Sequence, residues 1–197
     1  MITLKSVRLL SLSLAAAGFF PSLSSAQDSK TDPTQPPPKE ESPTNIAQLD
    51  AVKGYGGLAF NSDFSAAKDL AIEEDRGPLK TYKKKGGKLI LGPALLETVL
   101  YYYYEGKLYG VAFHTADGHD STNLKSILVA AFGQGEDSAD GEPSTIWIGK
   151  KNGALFEMNP GTGEAHAFLF DHQLNDAYLK YESEADEKAA SLLIKGE

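Results

Sequence analysis

The chain has 197 residues, 27 of them Asp or Glu against 19 Lys and Arg, with a formal net charge of −8 and no cysteine. The missing cysteine excludes disulfides, thiolate nucleophiles and cysteine-ligated metals. The acidic balance argues against nucleic acid or an anionic membrane surface as a partner, since each needs a basic face.

From the start, basic Lys5 and Arg8, an apolar stretch from Leu9 to Phe20, a break at Pro21 and the small residues Ser24, Ser25 and Ala26 have the pattern of a secretory signal peptide over residues 1–26. The apolar stretch is about a dozen residues, short of the roughly 20 that a hydrocarbon core requires. Export to the periplasm or the medium is expected, with cleavage after Ala26 and no membrane insertion afterwards. Cleavage removes Lys5 and Arg8 and no acid, which leaves 17 basic residues (19 less two) against 27 acidic, a net charge of about −10. Residues 27–45 hold Pro33, Pro36, Pro37, Pro38 and Pro43 among small polar and charged residues and read as a Pro-rich disordered linker. That leaves 46–197 for a single α+β domain, large enough for its core to stabilise it without disulfides.

Within that domain, Gly57 to Phe60 reads as a first strand. Asn61, Ser62 and Asp63 are turn and cap residues ahead of a short helix, Ser65 to Leu70, with Phe64, Ala67 and Leu70 at helical spacing. Ala71 to Asp75 is too acidic for core, Gly77 and Pro78 punctuate, and Leu79 to Tyr82 alternates as an edge strand does. The run Lys83, Lys84 and Lys85 reads as an anion site or, in its usual use beside an edge strand, as a solvated face that discourages sheet pairing.

Leu95 to Tyr104 and Lys107 to Thr115, joined at Glu105 and Gly106, predict a long β-hairpin. Its tyrosines Tyr101, Tyr102, Tyr103 and Tyr104 must alternate between faces, so at most two share one. Asp120, Ser121 or Thr122 is expected to cap a second helix, with the stripe Leu124, Ile127, Leu128 and Ala131, ended by Gly133. An acidic loop, Gln134 to Glu142, precedes three strands: Ser144 to Gly149, Ala154 to Met158 and Ala165 to Phe170, with a hairpin turn at Asn152-Gly153. The C-terminal helix, about Gln173 to Ile194, carries the stripe Leu174, Tyr178, Tyr181, Ala185 and Leu192, which docks on its own sheet or joins two chains. The expected fold is α+β. It has about six antiparallel strands with helices on one face, in two helix-plus-three-strand units, and the amphipathic C-terminal helix.

Chemistry-bearing residues are sparse. His114, Asp117, His119 and Asp120 offer nitrogen and oxygen ligands in a short span that suits a divalent metal, although Asp120 also reads as a helix cap. His166, Asp171 and His172 set a base beside a carboxylate, but no Gly-x-Ser-x-Gly elbow or cysteine supplies a nucleophile. The acidic loop Glu136, Asp137, Asp140 and Glu142 lacks the ligand ladder of an EF-hand, and Gly149 to Gly153 superficially suggests a phosphate loop yet lies between strands. No catalytic residue and no cofactor is expected. Tyr101, Tyr102, Tyr103, Tyr104, Tyr109 and Trp147 are the candidate binding residues, either a stacking platform or simply good strand formers.

The run Tyr55-Gly56-Gly57-Leu58-Ala59-Phe60-Asn61-Ser62, with Phe64 and Lys68, resembles the opening of many small exported bacterial α+β proteins of unknown function, and Tyr102 to Leu108 resembles their central hairpin. The resemblance spans about Tyr55 to Phe170 in structural positions only, with Asn61 standing where that family usually has glycine. The order of helices and strands is more distantly similar to the beta-lactamase-inhibitor proteins and to the SmpA/OmlA-type outer-membrane assembly lipoproteins. What the resemblance implies is a fold that acts by binding other proteins, with no catalytic residue to carry over and, without a lipidated cysteine, no fixed outer-membrane station. The expected function is a non-catalytic protein- or peptide-binding module of the cell envelope, its partner another envelope protein or a peptide. The alternative is a divalent-metal-binding protein or metal-dependent enzyme using His114, Asp117 and His119. An exposed aromatic patch favours the first reading, whereas tyrosines buried under helices remove its motive.

Overall fold

The computed structural model describes residues 45–64, 67, 69–86, 89–138 and 143–195. The expected signal peptide and nearly all of the expected linker lie outside these residues, as do Ser65, Ala66 and Lys68 of the expected first helix and Asp140 and Glu142 of the acidic loop.

A short helix α1 (Ile46–Ala51) leads into a ribbon of β1 (Gly54–Tyr55) and β2 (Leu58–Ala59). Then come β3 (Leu70–Arg76), β4 (Leu79–Lys84), a second ribbon of β5 (Leu89–Leu91) and β6 (Ala94–Leu96), and the hairpin β7 (Thr98–Tyr104) and β8 (Lys107–Thr115). Helix α2 (Gly118–Phe132) is followed by β9 (Glu136–Asp137), β10 (Ser144–Ile148), β11 (Asn152–Met158), β12 (Ala165–Asp171) and helix α3 (His172–Lys195). Eight strands form one sheet in the order β3-β4-β7-β8-β12-β11-β10-β9, every neighbour antiparallel.

The α+β class, the antiparallel sheet and the C-terminal helix are as the pattern predicts, but the sheet has eight strands rather than about six. The added strands are its edges. Leu70 opens β3 rather than closing a helix, and Ala71 to Asp75 is strand rather than loop. An edge strand needs only one paired side, so its acids face water. There Asp75 meets Lys80 at 2.9 Å and Glu74 meets Arg76 at 2.7 Å.

Two local signals give way to tertiary contacts. The hairpin turn falls at Gly149 to Lys151, and Asn152-Gly153 begins β11 instead. Asn152 is buried, with its Nδ2 donating to the carbonyls of Leu49 and Val52, while the Asp50 carboxylate accepts from the backbone N–H groups of Lys150, Lys151 and Asn152. Helix α2 begins one turn earlier than expected, because Asp117 is the cap and accepts from Asp120 N at 2.9 Å; the Asp120 carboxylate instead accepts from Leu95 N. Gly133 ends α2 at a φ of 78°, as its place in the sequence predicts.

The helices do not gather on one face. Alternation along the strands puts Val99, Tyr101, Tyr103, Val111 and Phe113 on the side where Leu124, Leu128 and Phe132 of α2 and Leu49 of α1 pack. It puts Tyr102, Tyr104 and Phe168 on the other side, against Leu174 and Tyr178 of α3, and a bulge opposite Tyr102 and Tyr103 turns Tyr109 to that side as well, out of step with Val111 and Phe113. Both faces of the central strands are apolar, so helices on one face alone leave half of these rings in water.

Candidate functional site

The six candidate binding residues are packed into the two faces of the sheet, Tyr102 half-buried and the other five buried. Tyr101 and Tyr103 are 1% exposed, on the α2 side, where Tyr103 meets the rings of Phe64 and Tyr82 edge-on at 5.5 and 5.3 Å. Trp147 is 3% exposed and donates Nε1–H to the Gly133 carbonyl at 2.8 Å, closing the end of α2. On the α3 side, Tyr104 lies 6.0 and 5.9 Å from the rings of Tyr178 and Tyr181, and Tyr109 lies 5.3 Å from Tyr178. Tyr102, half-buried, meets Phe168 at 5.4 Å and Tyr109 at 6.1 Å. Burial pushes the hydroxyls of Tyr101, Tyr102 and Tyr103 up to about 12, and that of Tyr109 well above its ordinary value. These phenols stay protonated at neutral pH and serve neither as bases nor as an exposed stacking platform.

The metal candidates are not brought together. His114 projects from the face of β8 turned away from α2, while its neighbour Thr115 reaches Ser121 of α2 at 2.7 Å. Asp117 and Asp120 are engaged as cap and ribbon anchor, and His119 Nε2 stands 3.3 Å from Asn123 Nδ2. Among the described residues no three His, Asp or Glu side chains converge on a metal position.

His114 instead stacks on His166 across the β8–β12 pair, with ring centroids 5.8 Å apart, and His166 Nε2 lies 3.0 Å from Glu157 Oε2 at an angle that makes no hydrogen bond. Burial, reinforced by His166 and Lys83, pushes His114 down to about 4, so it is a neutral ring at neutral pH. Asp171 accepts from Leu174 N at 3.0 Å and caps α3, which removes it from any base–carboxylate pair with His172.

A different concavity remains open. Between α2 and β11 runs a groove of about 390 Å³ lined by Ser121, Thr122, Lys125, Ser126, Val129, Ala130, Phe156 and Met158. Phe156, 1% exposed, makes the floor, and the Lys125 ammonium hangs 5.7 Å above its ring. That ammonium has no carboxylate partner among the described residues, in a chain where acids outnumber bases. On the wall, Thr122 and Ser126 donate their hydroxyl hydrogens to the carbonyls of Gly118 and Thr122, which leaves each oxygen only an acceptor's role toward a ligand. The groove thus offers an apolar floor, two acceptors and a cation. Its residues were missed because it exists only once α2 lies across β11. The one signal in the sequence is that Thr122, Ser126 and Val129 follow each other at spacings of four and three along the edge of the α2 stripe.

Comparison with known protein families, with curated proteins and with solved structures finds no match to this chain.

Proposed function

We propose that this chain is an exported, non-catalytic recognition module that binds an extended peptide segment in the groove between α2 and β11. The observation that carries the reading is the unpaired Lys125 ammonium over the apolar Phe156–Met158 floor. A peptide supplies each complementary part: an apolar side chain for the floor, backbone N–H groups for the Thr122 and Ser126 oxygens, and a carboxylate for Lys125. The neutral, capped or core-bound state of the tyrosines, His114 and Asp171 supports binding over catalysis, since none is placed to move a proton. The proposed kinship with inhibitor-like and outer-membrane assembly folds points the same way.

The test is titration of isotope-labelled protein with short peptides that end in an apolar residue with a free carboxylate, followed by amide shifts. Shifts confined to Thr122, Lys125, Ser126, Val129, Phe156 and Met158, lost in Lys125→Glu, support the proposal. Millimolar peptide that moves no amide in the groove, or that binds Lys125→Glu as well as the parent, refutes it.

A further inference from the structure

Helix α3 is longer than the surface it covers. Leu174, Asn175 and Tyr178 are buried or half-buried, Tyr181 is the last ring over the sheet, and every residue from Ser183 to Lys195 is exposed. These free turns, roughly 20 Å of helix at ~1.5 Å per residue, keep the period of the docked ones. Tyr181, Ala185, Ala189 and Leu192 continue the line of Leu174 and Tyr178, and Leu193, 83% exposed, stands on its flank, whereas Ile194, 87% exposed, lies on the opposite face of the helix. A solvated helix of this length is marginal in water without a covered apolar face.

We propose that this free half of α3 packs antiparallel against the same half of a second copy of the chain. The occupant follows from the order of large, small and charged residues. In an antiparallel pair, Leu192 enters the space beside the partner's Ala185 and the partner's Ala189, and the reciprocal contact forms by two-fold symmetry. In the same register, like flanks of the two helices meet, which brings Glu184, 3.8 Å from Lys180 of its own chain, opposite the partner's Lys195, twice. It also leaves Lys188 near its own copy at the two-fold axis, a cost that keeps the pair weak. Parallel pairing instead stacks Leu192 on the partner's Leu192 and brings opposite flanks together, which sets Glu184 beside the partner's Glu182 and the partner's Asp186. One flank also carries Glu182 and Asp186, which disfavours an anionic bilayer as occupant. A few turns per chain bury less than the ~1,000 Å² of a stable interface, so the pair is weak and concentration-dependent.

Sedimentation equilibrium of the full chain over a wide concentration range tests it. The expected result is a monomer–dimer equilibrium that Leu192→Asp weakens by about tenfold or more while thermal unfolding stays unchanged, because Leu192 lies outside the core. Glu184→Lys and Lys195→Glu each weaken the dimer, and the double exchange restores it, as a direct pair requires. A chain that is monomeric at every concentration, a dimer indifferent to Leu192→Asp, or a double exchange that fails to recover association overturns the proposal. So does monomer that instead sediments with anionic phospholipid vesicles through Leu192, which assigns the face to a membrane surface.

Discussion

The two faces of the central sheet are built by different means, although the same strands make both. On the α2 side, aliphatic and aromatic side chains from the sheet, α1, α2 and the ribbons interlock, and Val99, Val111, Phe113 and Leu124 are at most 1% exposed. On the α3 side, the rings of β12 lie flat over glycines of its neighbours. A Cβ at Gly110 would sit 2.3 Å from the Phe168 ring, and one at Gly153 would sit 2.3 Å from the Phe170 ring. Only the first turns of α3 cover this second layer, and the histidines His114 and His166 extend it past the helix. The difference teaches that an alternating aromatic run marks a two-sided sheet, not a binding face, when both of its parities find cover.

The sharpest way to break the comparison is to cut into the interlocked side. Phe113 lies at its centre, 1% exposed and edge-on to Tyr55 at 4.7 Å. Phe113→Ala is expected to cost about 3–5 kcal/mol of unfolding free energy, through lost burial plus the cavity left in a rigid surround. Urea denaturation measures it; a cost under about 1 kcal/mol would mean that the α2 side is no more tightly packed than a surface, and the contrast between the faces fails.

Much of this architecture was legible in the sequence. The hairpin β7–β8, α2 with its Gly133 stop and the stripe of α3 are strong local patterns, and local pattern is enough where an element buries a periodic face. What escaped was set by distant partners. The strand at Ala71 to Asp75 exists because β4 offers it an open edge. Asn152-Gly153 leaves its turn because Leu49 and Val52 present carbonyls to the amide and Phe170 needs a position without a Cβ. The pattern of the tyrosines at 101, 103, 104 and 109 suits plain strand formers better than a platform, and the position of two helices shows where their rings go. The Lys125 groove is likewise a property of helix placement.

The second test lies on the α3 side, one residue along β8 from the first. His114 has its pKa pushed down to about 4 by burial, with His166 and Lys83 adding to the effect, and its Nε2 has no hydrogen-bond partner. The folded state therefore holds this ring neutral while the unfolded chain protonates it near its ordinary value of 6.5. Its contribution is complete above about pH 6.5 and is lost as pH falls toward 4, since the unfolded state binds the extra proton in that window. Partial exposure reduces the effect to about 2 kcal/mol. Unfolding free energies at pH 7 and pH 4.5, compared with those of His114→Gln, isolate it from the carboxylates. An equal pH slope in both proteins would show that His114 is hydrated in the fold.

The smallest expected effect has the opposite sign, and it probes the interlocked side again. Tyr103 is 1% exposed, yet its hydroxyl has no hydrogen-bond partner, whereas Tyr102, its neighbour on the other face, is half-buried. A buried hydroxyl without a partner has lost its water and gained nothing in exchange, so removing it restores no void larger than an oxygen and relieves the desolvation cost. Tyr103→Phe keeps the edge-on contacts with Phe64 and Tyr82 and is expected to be neutral or stabilising by up to about 1 kcal/mol, read as an equal or higher melting temperature. A loss of more than about 1 kcal/mol would show instead that the hydroxyl is satisfied in solution by an internal water, and that the α2 side is wetter than its packing indicates.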